Sequence, residues 1–169
     1  MKLQIHHLHI LIRAECNLSP KQKDVKKISK KVVSLIKDIN MNVFMTPRVK
    51  YMPDEGNEGL TWVAGLETSH CSFHAWDKPD QDFMKYPDAT LHQMDLYTCG
   101  CMNTAEVKTI LEFLSEYEPL QVNCVIFDRS KTLVKPAVKL RYNYETNKNY
   151  DRWLKKLKIK YLDSFKPEV

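Results

Sequence analysis

No apolar run in this chain approaches the ~20 residues that a membrane-crossing helix needs, so a helical membrane protein is not expected. The N-terminus, Met1-Lys2-Leu3-Gln4-Ile5-His6-His7, has neither the apolar core nor the cleavage site of a signal peptide, and a cytoplasmic location is the expectation. No Cys-x-x-Cys spacing occurs. The five cysteines (Cys16, Cys71, Cys99, Cys101, Cys124) are an odd number, which points to reduced thiols rather than a disulfide framework. Internal repeats and low-complexity segments are also missing. Aromatic residues do not interleave with the lysines as base stacking would require, so no nucleic-acid partner is expected. The excess behind the net charge of +5 sits between Lys21 and Lys37 and at Lys155, Lys156, Lys158 and Lys160, on solvated helix faces.

What is present suits one globular domain. The chain has 169 residues, 43% hydrophobic and 28% charged, enough to bury a core without staples. Leu3 to Ile12 reads as a strand; His7 and His9 share one face of it, but no third ligand stands at a recognisable metal spacing. Ser19-Pro20-Lys21-Gln22 reads as a helix start, with Ser19 as N-cap and Gln22 reaching back. Val25, Ile28, Val32, Leu35, Ile36 and Ile39 then recur at helical spacing. Val43 to Met52 is a strand whose Pro47 predicts an edge position or a bulge. Asp54 to Gly59 is a turn, and Asp77 to Ala89 a long polar loop. Leu91 to Cys99 is a strand with Asp95, Tyr97 and Cys99 on one face. Asn103-Thr104-Ala105-Glu106 caps a second helix that Pro119 stops. Leu120 to Phe127 and Val134 to Tyr142 add strands, and Tyr150, Trp153, Leu154, Leu157 and Tyr161 form a short amphipathic helix. This order predicts an α+β fold, a two-layer sandwich of an antiparallel sheet with helices packed on one face.

The stretch Leu66-Glu67-Thr68-Ser69-His70-Cys71-Ser72-Phe73-His74-Ala75-Trp76 stands out within that plan. Leu60, Trp62, Ala64 and Leu66 alternate before Ser69; Cys71, Phe73 and Ala75 alternate after it. The period of two gathers His70, Ser72, His74 and Trp76 on the other face. A buried strand face carrying His, Ser and His is costly unless each polar group is paired, so this face is expected to be buried and is a candidate site.

The block Ser69-His70-Cys71-Ser72-Phe73-His74-Ala75-Trp76, with Tyr97-Thr98-Cys99-Gly100 downstream, resembles the pyruvoyl-dependent S-adenosylmethionine decarboxylases in their bacterial and archaeal form. The likeness runs without a gap from Gly59 to Trp76 and in outline over the first three quarters of the chain. It implies a domain over 1–130 and a C-terminal extension over 131–169 packed on the same domain. It implies self-cleavage between Thr68 and Ser69, with Ser69 becoming the pyruvoyl group that condenses with the substrate amine. By the same resemblance His74 promotes the elimination step and Thr61, standing for a serine, assists it. Cys99 is then the thiol that returns a proton to the substrate carbon. Substrate contacts fall at Tyr51, Glu67, His70, Asp77 and Asp80, with Tyr51 nearest the position of an adenine-stacking aromatic. Three departures stand out: Thr68 where many members have Glu, Ala75 for the usual Thr, and Asp77-Lys78-Pro79-Asp80 where a Pro-Glu carboxylate holds the ribose.

Decarboxylating an α-amino acid needs an electron sink that no side chain provides, which a pyruvoyl group supplies. The leading expectation is therefore a self-processing decarboxylase of S-adenosylmethionine serving polyamine synthesis, on a homodimer of processed two-chain protomers. A basic amino acid such as arginine or ornithine is the alternative substrate. An unprocessed regulatory homologue, or a small metal-binding protein using His6, His7, His9 or the His70/His74 pair, stands further behind.

Overall fold

Alternation along the strands divides the side chains between two faces, and the computed structural model, which describes residues 6–165, shows which face is covered. The elements are β1 (Leu8–Cys16), α1 (Val25–Asp38), β2 (Val43–Met52), β3 (Gly59–Leu66), β4 (Ser69–Trp76), β5 (Thr90–Thr98), α2 (Thr104–Glu112), β6 (Pro119–Asp128), β7 (Val138–Asn143), α3 (Tyr144–Asn147), α4 (Tyr150–Lys156) and α5 (Lys160–Asp163). The strands form one seven-stranded sheet in the order β2-β3-β4-β5-β1-β6-β7, with antiparallel pairing throughout. The expected α+β architecture is what forms. Leu8, Ile10 and Ile12 of β1, Leu60 and Trp62 of β3, and Cys71 and Phe73 of β4 are buried, facing Ile28, Val32 and Ile36 of α1 and Val107, Ile110 and Leu111 of α2. Phe113, just after α2, meets Trp62 and Phe73 edge-on, at 6.0 and 5.4 Å between centroids.

The opposite face carries His70, Ser72, His74 and Trp76, and it is not the core. Ser72, His74 and Trp76 are half-buried and His70 is exposed. The expectation of a buried polar strand face is corrected on this point, because the helices use the apolar side of β4.

Several boundaries move for reasons of tertiary contact. The first strand starts at Leu8 and runs on to Cys16, paired with β5 and β6 on its two sides; the expected start at Leu3 lies outside the described residues. Ser19 is not a helix cap. Its hydroxyl donates to Asp77 (2.5 Å), a short 3₁₀ turn spans Gln22–Asp24, and the Asp24 carboxylate accepts the Lys21 N–H instead (2.8 Å). Pro47 does mark an edge: β2 borders the sheet and its register slips on either side of Met45. Gly59 has no room for a side chain, since a Cβ there would lie 1.8 Å from the Ala75 carbonyl oxygen. The capping box at α2 forms, with the Asn103 side chain accepting from the Ala105 and Glu106 N–H groups and Glu106 from the Asn103 N–H.

The tail helix divides into α4 and α5, because the Ile159 N–H leaves the helical ladder to donate to Thr104 Oγ1 (2.9 Å). Tyr150 Oη donates to the Leu111 carbonyl (3.0 Å), which lays α4 over α2. α5 is held through Asp128, 2% exposed at the end of β6, which accepts from Tyr161 Oη (2.7 Å), from Ser130 and from Lys131. Burial alone would raise the Asp128 pKa, but hydrogen bonds from Ser130, Tyr161 and Lys131 outweigh it and hold the carboxyl at about 2. Because this lies below the unfolded value of about 3.9, the stabilisation is full above about pH 4 and is lost as pH falls toward 2. Asp128→Asn is expected to cost about 1.5–3 kcal/mol near neutrality. Thermal melts should show the gap to the parent narrowing between pH 4 and pH 2; a gap constant with pH would overturn the assignment.

Candidate active site

Leu66 and Ser69 face each other across a two-residue turn of Glu67 and Thr68. Thr68 has φ +62°, a left-handed conformation rare for a β-branched residue and costing about 1–3 kcal/mol. The turn is tied down twice by Asn42, whose carbonyl accepts the Glu67 N–H (3.1 Å) and whose amide donates to Glu67 Oε2 (3.0 Å). Asn42 was not singled out from sequence; its one signal is its place just past the end of α1. Ser69 follows the pleat of Cys71 and Phe73. It opens on a cleft of about 260 Å³ lined by Ile39 to Asn42, the turn, and Thr98, Gly100 and Cys101.

Cys99 lies just beyond β5, at the same end of the sheet as this turn. It is half-buried, and its Sγ donates to Tyr97 Oη (3.5 Å). β5 runs between β4 and β1, so Tyr97 has His70 opposite it on one side and His9 on the other. The His70 ring stacks on Tyr97 at 5.6 Å. Asp95 Oδ2 lies 2.9 Å from His9 Nε2, and Oδ1 lies 3.6 Å from His70 Nε2. That Oδ1 atom is buried without a hydrogen bond among the described residues. All five cysteines are free. Among the described residues no three His, Cys, Asp or Glu side chains are arranged to hold a metal ion.

Thr61 and His74 are direct cross-strand partners on the half-exposed face, with Oγ1 and Nδ1 3.0 Å apart. The imidazole stacks on Trp76 at 5.4 Å. Burial lowers the His74 pKa below its ordinary 6.5, so the ring is neutral at pH 7 and can take a proton. His74 borders a depression of about 480 Å³ lined also by Arg13, Ser72, Gln93 and Asn123. Arg13 and Asn123 escaped the sequence reading because only the strand order, with β1 and β6 beyond β5, brings them here. His74 is five residues along β4 from Ser69, about 16 Å at ~3.3 Å per residue, and points to the other face. One chain therefore holds the serine and the histidine apart.

Tyr51 and Asp77 meet, with Tyr51 Oη donating to Asp77 Oδ2 (2.8 Å). Ser19 and Lys21 also bind that carboxylate, Lys21 Nζ at 2.6 Å. Burial would raise the Asp77 pKa, but bonds from Lys21, Ser19 and Tyr51 outweigh it and hold the carboxyl below the usual range. The hydrogen bond to Asp77 pushes the Tyr51 phenol up to about 12. Both Asp77 oxygens are thus engaged. Asp80 accepts from the Asp82 N–H (3.0 Å) and caps the short turn Gln81–Phe83.

No curated protein matches the chain. The family profile described as S-adenosylmethionine decarboxylase matches residues 9–130, from the start of β1 to just past β6. The match takes in the strained turn before Ser69, the Thr61–His74 pair and Cys99, and by its extent this chain belongs to the S-adenosylmethionine decarboxylase family.

Proposed function

We propose that the chain cleaves itself between Thr68 and Ser69 and then decarboxylates S-adenosylmethionine in the cytoplasm, supplying the aminopropyl donor for spermidine synthesis. The observation that carries this is Ser69 immediately after a left-handed Thr68 in a tight turn, at the sheet end where Cys99 stands. Ser69 Oγ attacks the Thr68 carbonyl carbon, a C–O bond forms as the C–N bond breaks, and an ester with a free amine results. Removal of the Ser69 α-proton expels the Thr68 carboxylate, and the dehydroalanine left behind hydrolyses with loss of ammonia. Strain at Thr68 is relieved as the turn opens, which favours the shift. The cleft around Ser69 has room for a pyruvoyl group formed at that position; such a group would supply the electron sink for loss of carbon dioxide.

The neutral His74, held by Thr61, is the base for the α-proton. Since His74 and Ser69 of one chain are separated, His74 serves the Ser69 of a second copy, in a symmetric homodimer of two-chain protomers. Cys99 donates the proton that replaces the lost carboxylate. Residues 1–130 form the catalytic unit, with 131–169 an extension packed on it. Glu67 and His70 contact the small-molecule substrate from the Ser69 end of β4, and Tyr51, Asp77 and Asp80, at the far end of that strand, contact it only from the second copy.

One observation favours a second substrate class. Asp77 has both oxygens engaged and offers none free to a ribose hydroxyl, whereas Asp95 Oδ1, without a hydrogen bond among the described residues, suits a guanidinium or ammonium group. A basic amino acid is then decarboxylated by the same machinery.

Denatured mass of freshly purified protein, with and without a carbonyl reagent, tests the proposal. Two fragments split at Thr68–Ser69, the larger one taking up reagent, are expected. Carbon dioxide release from S-adenosylmethionine against arginine and ornithine then separates the substrates. A single intact mass that persists on incubation would transfer the weight to an unprocessed regulatory homologue.

A further inference from the structure

We propose that His7 and Tyr97 form a proton relay that reloads Cys99 after each turnover; this rests on the proton-donor role assigned to Cys99 above. Tyr97 Oη lies 2.7 Å from His7 Nδ1 and 3.5 Å from Cys99 Sγ, so one hydroxyl bridges the two groups. A phenol can accept one hydrogen bond while donating another. In the resting chain the thiol donates to Tyr97 Oη, and the Tyr97 hydroxyl donates to Nδ1 of a neutral His7.

The bridge is held in place rather than left to chance. The His70 ring stacks on Tyr97, His9 meets it edge-on at 6.0 Å, and the Arg129 guanidinium lies 4.8 Å from its centroid. The Arg129 N–H also donates to the His7 carbonyl (2.6 Å), which anchors His7 where β1 begins. His7 is half-buried, so its imidazole is open to exchange with solvent. The charged or titratable groups around the relay are Arg129 from the end of β6, His9 from β1, His70 from β4 and Asp95 from β5.

The proton balance closes. Once Cys99 has given its proton to the product carbon, a thiolate remains beside Tyr97 Oη. The Tyr97 hydroxyl proton passes to Sγ while the Nδ1–H of a protonated His7 passes to Oη. The thiol and phenol are restored and His7 is left neutral as in the resting chain, the proton having entered from water at His7 after Cys99 gave up its own. Neither His7 nor Tyr97 touches the reacting carbon in this scheme; both act through Cys99.

His7→Gln and Tyr97→Phe, each made in the full chain, test the relay. Both are expected to cleave at Thr68–Ser69, keep the parent KM and lose turnover by on the order of 10²-fold. Added imidazole should restore turnover in His7→Ala but not in Tyr97→Phe, an outcome that a packing role does not produce. A second readout needs no processed enzyme: iodoacetamide labelling of Cys99 in the Ser69→Ala chain, mapped by mass. Its rate should change in Ser69→Ala/His7→Gln relative to Ser69→Ala, because His7 reaches the thiol through Tyr97. Parent-like turnover in both variants, or a labelling rate blind to His7, overturns the relay. If Cys99→Ala itself turns over like the parent, the donor role fails first. If Cys99→Ala is inactive while His7→Gln and Tyr97→Phe are normal, the relay alone fails.

Discussion

Ser69→Ala is expected to yield one intact chain that takes up no carbonyl reagent and releases no carbon dioxide from any amino-acid substrate. The loss should be complete rather than partial. The hydroxyl oxygen is the atom that attacks the Thr68 carbonyl, and no neighbouring residue in the turn has a hydroxyl at the same distance from that bond. Without cleavage there is no electron sink, and no arrangement of His74, Cys99 or Asp95 replaces one. Folding should be little affected, since Ser69 is half-buried at a strand end and its side chain makes no hydrogen bond among those described. The intact variant should melt within a few degrees of unprocessed parent. A cleaved and active Ser69→Ala protein would sink the proposed mechanism outright.

His74→Ala should slow cleavage by about 10²–10⁴-fold, the range typical for loss of a positioned base. Its more telling consequence concerns which chain the histidine serves. Five strand residues and the thickness of the sheet separate His74 from Ser69 in one protomer. A His74→Ala chain retains a competent Ser69, and a Ser69→Ala chain retains a competent His74. Co-expressed with different tags, they should form mixed dimers in which the His74→Ala chain is cleaved and the Ser69→Ala chain is not. If the His74→Ala chain stays intact in purified mixed dimers, the histidine does not act across the dimer. The pH dependence follows from the lowered pKa of His74: the neutral base persists below pH 6.5, so parental cleavage should hold its rate to more acidic pH than an ordinary histidine allows, then fall.

These two experiments divide along the line between local and long-range structure. The turn before Ser69, the β3 and β4 strands and the capping box at Asn103 were legible because each depends on residues within a few positions of one another. The alternation in β4 was sufficient to put His70, Ser72, His74 and Trp76 on one face, since the pleat reverses side-chain direction at every residue.

Alternation does not say which face the helices cover, and there the polar face was misjudged as buried. Helices α1 and α2 cover the side bearing Cys71 and Phe73 because that side continues the apolar surface of β1, β3 and β6, which share one face only in the folded sheet. The resemblance offered Asp77 or Asp80 as a stand-in for a ribose-holding carboxylate, but it could not show what else binds Asp77. Its partners Ser19, Lys21 and Tyr51 lie 58, 56 and 26 residues away in sequence and were invisible to any local pattern. The same holds for His7 and Tyr97, which are 90 residues apart and meet because β1 inserts between β5 and β6. The sequence by itself determined the strands, the break between β3 and β4 at Ser69 and the residues able to carry the chemistry, because backbone geometry and turn preference act over a few residues. Only the tertiary structure decided which of those residues meet, because strand order and helix packing depend on burying apolar surface across the whole chain.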